Sequence, residues 1–366
     1  MIKTYEHASE LDADKWNGIM PVLPDIALGT VGLALQERNA ATDMRYLVDV
    51  DESGAWVAGL PCALATDRSV WVLGRPDRMV VRAANEMGDT KAATVIAMHD
   101  DLAADLLPSL VLGGRHMGNS AVLLSDKVAD KPAMLNRLLD AAQDQARAMG
   151  AKSMAFPFLP DTSEPLIRLL KERGWRVFGE SRYSKLDIPA GGFDEYLSSF
   201  GRKWRWKIRN EREQVVQAGF TADVVPLGSV DLDRLGELEY QLLTKYGLND
   251  WDRADSVRNF QGMVDVFGPD AQVGVIGRDG WRERNNLIAG FVILLRGGGV
   301  WSARQIGFDY TMQGTMPLYF EVLFYKPIEL AAVNHISRID YGTGSEHTKA
   351  LRGCYAESQR LWLKEL

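Results

Sequence analysis

Between Lys131 and Ile188 the chain alternates twice between a helix that ends in glycine and a short apolar strand. KPAMLNRLLDAAQDQARAMG (Lys131–Gly150) places Met134, Leu135, Leu138, Leu139 and Ala142 at helical spacing, with Gly150 where a C-terminal cap belongs. KSMAFPF (Lys152–Phe158) then reads as a strand. SEPLIRLLKERGW (Ser163–Trp175) is a second helix, with Ser163 as N-cap, Pro165 in its first turn and Gly174 at its end. RVFGESRYSKLDI (Arg176–Ile188) returns as a strand. Each helix has one apolar stripe to bury and each strand needs partners. The alternation therefore demands a sheet with helices packed on it, an α/β fold with mixed α+β character.

The flanks follow the same grammar. MRYLVDVDESGAWVAGLPCALA (Met44–Ala65) reads as two strands joined by a turn at Glu52, Ser53 and Gly54; KAATVIAMH (Lys91–His99) and SAVLLS (Ser120–Ser125) read as further strands. PAGGF (Pro189–Phe193) is the best linker. Beyond it the pattern restarts. A helix covers Phe193–Ala218, a strand Thr221–Leu227, helices Val230–Gly247 and Asp255–Gly268, and three strands Ala271–Asp309. A long helix follows over Pro317–His335, with Pro327 expected to kink or break it, then a strand over Arg338–Gly344. For 366 residues this gives two domains, 1–190 and 191–366, each long enough to bury a core and together open to a long-period duplication.

Bulk properties exclude several classes. Net charge is −7, so a protein coated in nucleic acid is disfavoured, though one local basic site is not. The two cysteines, Cys62 and Cys354, lie far apart, without metal-like spacing. No HExxH, paired-cysteine or P-loop pattern occurs, so no metal site is expected. The N-terminal stretch has no apolar core of a signal peptide, and the longest apolar runs are too short to span a bilayer. Cytoplasmic localisation, no membrane span and no DNA partner are the expectations.

SSFGRKWRWKIRNEREQVVQAG (Ser198–Gly219) stands out against this acidic background. Leu197, Phe200, Trp204, Ile208 and Val215 fall on one helical stripe, the buried face. Arg202, Arg205, Arg209 and Arg212 form a second stripe beside it, and Lys203 and Lys207 lie on the opposite flank. Two readings stand: a solvated amphipathic helix whose cations pair with Glu211 or Glu213, or an arginine stripe facing phosphate or carboxylate.

LIRLLKERGWRVFGESRYSKLDI (Leu166–Ile188) resembles the closing helix and strand of the GNAT acyltransferase fold. The basic helix, ELEYQLLTKYG, LIAGFVILL, GFDYTMQGTMPLYFEVLFYKPIELA and IDYGTGSEHTKALRG together resemble the second GNAT-like domain of the Fem aminoacyltransferase family. The resemblance implies two tandem GNAT-like domains, each a central mixed sheet flanked by helices. It also implies amide-forming transfer of an acyl or aminoacyl group to a small-molecule or peptide amine. The donor would be a co-substrate, acyl-coenzyme A or aminoacyl-tRNA, with no tightly bound cofactor; tRNA would be a partner in the second case. A noncatalytic scaffold retaining the fold is the alternative. Many coenzyme A-binding relatives cradle the pyrophosphate on an R/Q-x-x-G-x-G/A loop. Here only RHMGNS (Arg115–Ser120) and RQIGFD (Arg304–Asp309) approach it, ending in Ser120 and Asp309 instead of Gly or Ala.

Amide formation needs a neutral nucleophile, a stabilised oxyanion and a protonated leaving group. The resemblance implies that Lys349 sits near the reacting carbonyl. Asp340 and Tyr341 lie at the end of one strand, and Asp309 and Tyr310 at the end of another, where α/β sites gather. Asp340 and Asp309 are candidate catalytic carboxylates beside Lys349. Arg205, Arg209, Arg304, Tyr310, Tyr341, Arg352 and Trp301 are candidate substrate-binding residues. Glu346 and His347 are further candidate proton acceptors, and Tyr319 and Tyr325 are expected in the core or at its rim.

Overall fold

The computed structural model describes residues 1–366 except 22–24, 41–42, 70–73, 115–117 and 248–250. The chain forms two compact units. The first comprises Met1–Tyr183 with Ala356–Leu366, and the second Ser184–Tyr355. The last strand thus belongs to the first unit, where the sequence boundary at residue 190 assigned it to the second.

In the first unit the elements run β1 (Ile2–Tyr5), α1 (Ala13–Asn17), α2 (Thr30–Ala40), β2 (Met44–Val50), β3 (Trp56–Ala65), α3 (Pro76–Met87), α4 (Thr90–Met98) and α5 (Leu102–Leu106). They continue with β4 (Ser109–Leu112), β5 (Leu123–Leu124), α6 (Lys131–Ala148), β6 (Ser153–Pro160), α7 (Glu164–Glu172) and β7 (Arg176–Asp187), whose first residues to Tyr183 lie in this unit. The strand order is β1-β2-β3-β4-β6, then the C-terminal strand, then β7, with β5 pairing β3. All pairs along β1 to β4 are antiparallel, while β4 and β6 run parallel. The expected stripe of α6 is buried: Met134, Leu135, Leu138, Leu139 and Ala142 pack against β-strand residues and α7. Asp130 caps α6 through the Ala133 amide at 2.9 Å, and Gly150 takes the left-handed conformation after its last turn. Residues 91–98 are not the expected strand but helix α4. Asp89 accepts from the amides of Lys91 and Ala92, and Ala92 and Val95, one turn apart, are the buried positions. The N-cap outweighs the apolar run that suggested a strand.

In the second unit the elements run α8 (Gly192–Ser198), α9 (Arg202–Gln217), β8 (Phe220–Pro226), α10 (Leu232–Lys245), α11 (Arg253–Phe267), β9 (Ala271–Arg278), β10 (Ile288–Gly297) and β11 (Val300–Phe308). Then come α12 (Tyr310–Gln313), α13 (Leu318–Phe320), a π-turn over Glu321–Tyr325, α14 (Lys326–Ala331), β12 (Arg338–Gly342) and α15 (Glu346–Ala350); the following strand, β13 (Tyr355–Glu365), lies from Ala356 on in the first unit. The strand order is β7-β12-β11-β10-β9-β8. Only β11 and β12 run parallel; the other pairs are antiparallel. Both units thus lay a run of antiparallel strands beside a parallel pair. Each is a mixed sheet flanked by helices.

The expected helix over 193–218 is two helices. Gly201 is extended and starts α9, and the Arg205 guanidinium donates to the freed carbonyls of Phe200 (3.0 Å) and Ser198 (3.5 Å). Pro327 does break the regular pattern of the long helix. It has no N–H and its ring would crowd the Leu323 carbonyl, and the turn just before it widens into the π form. The core of the second unit gathers Ile208 and Val215 of α9, Trp301 and Phe308 of β11, Phe324 and Tyr325 of the π-turn, and Ile339 and Tyr341 of β12.

Candidate active site

Strands β11 and β12 pair over only three rows: Val300 with Arg338, Trp301 with Ile339, and Ser302 with Asp340. Beyond Ser302 and Asp340 they separate. β11 continues to Phe308 against β10, and β12 continues to Gly342 against β7. An opening at the carboxyl ends of two parallel strands leaves backbone groups without a ladder partner, the place where open α/β sheets bind ligands. β11 also carries a bulge here, since Val292 faces Ile306 while Leu294 faces Ala303, which puts Arg304 and Gln305 in the extra stretch.

One face of this region is charged although buried. Asp340 is opposite Lys185 on β7 and opposite Ser302 on β11, and strand alternation puts Arg338 on the same face. Asp340 accepts from Arg338 Nε at 2.7 Å and Nη2 at 3.1 Å. Asp340, Arg338 and Lys185 are all less than a tenth exposed, and Arg304 is half-buried at the bulge. Arg338 and Asp340 are paired here, and Lys185 stands across from Asp340 in the strand register. Sequence reasoning found Asp340 and Arg304 but missed Lys185 and Arg338. The available signal was a cation inside an otherwise apolar strand.

The turn after β12 is held from behind by Lys349, itself on α15. Lys349 is 4% exposed, and its Nζ donates to the carbonyls of Tyr341 (2.8 Å), Gly342 (3.0 Å) and Thr343 (2.9 Å). Burial pulls its pKa down to about 8, while three carbonyl oxygens favour the ammonium form. Because each peptide is trans and planar, three carbonyls facing Lys349 turn the amides of Gly342, Thr343 and Gly344 the other way. Thr343 and Gly344 are exposed, and their amides meet no acceptor among the described residues. Left-handed Gly342 and Gly344 permit this path. The lysine is therefore a strut for a turn that presents N–H groups.

Tyr341 lies beneath this turn, its ring 4.7 Å from that of Phe324, and its hydroxyl has no partner among the described residues. Burial pushes its pKa well up.

The remaining candidates are spread out. Trp301 is fully buried and donates Nε1–H to Gln272 at 2.8 Å, so it belongs to the core. Arg352 is 1% exposed. Its Nη2 donates to both Glu211 oxygens (3.1 and 3.0 Å), its Nε to the Tyr325 hydroxyl at 2.7 Å, and it lies 3.9 Å over the Phe320 ring. The Tyr325 hydroxyl donates to Glu211 in turn. Arg352 thus spends its fork inside the protein. Arg205 caps carbonyls, and Arg212 pairs with Glu321 and Glu329. Arg209 is exposed. Tyr310 is half-buried under the Lys245 ammonium, 3.8 Å from its ring centre. Glu346 and His347 are exposed.

Asp309 caps α12, accepting from the amides of Thr311 and Met312 at 3.0 Å each, and pairs with Arg234 at 2.8 Å. Despite partial burial, these donors hold its carboxyl below the ordinary range. The amides that would cradle a pyrophosphate after RQIGFD are therefore already bound to a carboxylate. In the first loop a single described amide is bound to a carboxylate. Arg115–Met117 lie outside the described residues, but the Asn119 amide donates to Asp25 at 2.8 Å. Among the described residues no group of three His, Cys, Asp or Glu is placed to hold a metal ion, and no helix is long and apolar enough to cross a membrane.

A sheet with one parallel pair opening at its carboxyl end, occurring in a chain of two like units, is the architecture of tandem GNAT proteins. The chain is similar to the crystal structure of FemX at a TM-score of 0.64, with 14% identity over 100% of this chain and 97% of that one. It is similar to a tandem GNAT protein from the clavulanic acid biosynthesis pathway at 0.55, with 11% identity over 100% and 98%. No curated protein matches the sequence. Residues 118–362 match the model of the FemAB-like family, described as peptidoglycan biosynthesis/recognition, and the chain belongs to that family.

Proposed function

We propose that this protein is an N-acyltransferase that passes an acyl or aminoacyl group from an activated donor to an amine. The observation that carries the reading is the opening between β11 and β12, flanked by the Lys185–Arg338–Asp340 group and ended by the turn that Lys349 holds. In this reading the reacting carbonyl lies at the opening, with the outward amides of Thr343 and Gly344 aimed at the developing oxyanion. The acceptor nitrogen adds to the carbonyl carbon and a C–N bond forms. The bond from that carbon to the carrier's oxygen or sulfur then breaks, and the amine proton ends on the leaving atom. Asp340, bound twice by Arg338, orients that guanidinium toward an anionic part of a substrate.

In the RQIGFD loop two amides already bind the Asp309 carboxylate, and in the other loop the Asn119 amide binds Asp25, so a phosphate taking those amides would have to displace a like charge. This supports an aminoacyl ester on tRNA over a coenzyme A thioester as donor. The family's description supports a peptide amine of a peptidoglycan precursor as acceptor, and hence action in the cytoplasm. The test offers the purified protein a peptide carrying a lysyl amine, together with either charged tRNA or a set of acyl-coenzyme A thioesters. Transfer from charged tRNA that ribonuclease abolishes is the expected result. Free-thiol release from a thioester, with no transfer from tRNA, would reverse the donor choice. No transfer from either would leave the scaffold reading.

A further inference from the structure

Helix α9 presents a face on which Trp206 stands among three cations that make no ion pair with any of the described residues. Trp206 is 67% exposed, a large indole in water. At about 100° per residue, Arg202 and Arg209 flank it on one side and Lys203 on the other, one turn before or after. All three cations are exposed, and none has an ion pair among the described residues. The neighbouring side chains are spoken for. Arg205 binds carbonyls, Lys207 lies over the Trp204 ring at 4.7 Å, and Glu213 two turns on accepts from Gln217 at 3.1 Å. Two of them, Arg202 and Lys203, also sit at the unfavourable end of the helix. The first turn of α9 contains Arg202 and Lys203 and no acidic residue, so the helix dipole opposes them. Like charges at a helix N-terminus around an exposed indole cost stability unless an anion from outside meets them.

We propose that this face docks the protein on an anionic lipid surface. Charge complementarity supplies the attraction and Trp206 the anchor, since an indole with a cationic rim matches the headgroup layer, where an apolar ring and a polar N–H are both satisfied. On α9 Trp206 is the one exposed aromatic, a lone indole suited to a plane, while Arg209 also borders a cavity lined by Asp194, Glu213 and Asp279. A groove of successive stacking rings, the usual means of holding single-stranded nucleic acid, is not what α9 displays. The chain's net charge of −7 does not prevent docking, because only charges within about a Debye length of roughly 8 Å feel the surface. The inference is independent of the acyl-transfer reading.

The experiment co-sediments the full chain with vesicles of phosphatidylglycerol and phosphatidylcholine, with phosphatidylcholine vesicles alone, and, separately, measures binding to bulk tRNA. Each cation near an anionic surface is worth roughly a fivefold gain in partition. Replacing Arg202, Lys203 and Arg209 by Gln together should lower binding to the anionic vesicles by about a hundredfold. Trp206→Ala should remove quenching of tryptophan fluorescence by brominated lipid. Circular dichroism confirms that both variants fold, as expected for exposed positions. Equal binding to neutral and anionic vesicles, no vesicle binding, tRNA binding alone, or vesicle binding indifferent to both variants would each overturn the proposal.

Discussion

Glu239 offers the sharpest physical test of this structure. It sits on α10, where close approaches bring three elements together: Gly236 leaves no room for a Cβ against Val257 of α11, and Gly307 of β11 lies directly on the Glu239 amide. The carboxylate is 6% exposed, has Ser256 as its hydrogen-bonding neighbour, and keeps one oxygen without a partner. Burial raises its pKa from 4.5 to about 7. The folded state therefore holds a proton that the unfolded state has lost between those two values, and stability falls as pH rises through this window. At about 1.4 kcal/mol per unit, the cost above pH 7 is roughly 3 kcal/mol relative to pH 4.5. Glu239→Gln keeps the shape and removes the titration. Urea denaturation at pH 5 and pH 8 should show the wild type losing about 2–3 kcal/mol between them, and the variant losing markedly less. In thermal melts of a unit this size, the difference amounts to roughly 6–10 °C. A variant with the same pH dependence as the wild type, or one much less stable at pH 8, would refute the argument.

Lys349→Met would leave three carbonyls without their donor and release the turn. Acyl transfer should fall at least about a hundredfold, with stability down by about 1–3 kcal/mol in urea. Arg352→Met should cost about 3–5 kcal/mol because Glu211 is left buried and charged; adding Glu211→Leu should recover most of that in the same denaturation assay. Asp309→Ala removes a helix cap and an ion pair, so a loss of about 1–2 kcal/mol is expected, with KM for the donor changed little.

Some of the candidate site was legible in advance because it depends on local order. Asp340 and Tyr341 were singled out from their place at a strand end, and Lys349 from the Fem-like resemblance. Their contacts were not legible. Lys349 belongs to a carbonyl cage only because α15 folds back under β12, and Arg352 spends its guanidinium on Glu211 because α9, the π-turn carrying Tyr325 and the stretch after α15 come together. A polar side chain near a strand end looks the same in sequence whether it faces a substrate or a buried partner. Lys185 and Arg338 were missed for the converse reason: they join the site by register across three strands, which pairing decides and spacing along the chain does not.

The sequence by itself determined the α/β class, the two-part organisation and the amphipathic stripes, because helical and strand periodicities and glycine caps are local properties of the chain. It also held the Fem-like resemblance. It did not determine the state of residues 91–98, where an N-cap at Asp89 turned an apolar run into α4. Nor did it reveal that β13 would join the first unit, or that β11 and β12 would part after three rows. Those outcomes depend on which surfaces meet and which backbone groups find partners, energies that exist only once distant segments are packed together.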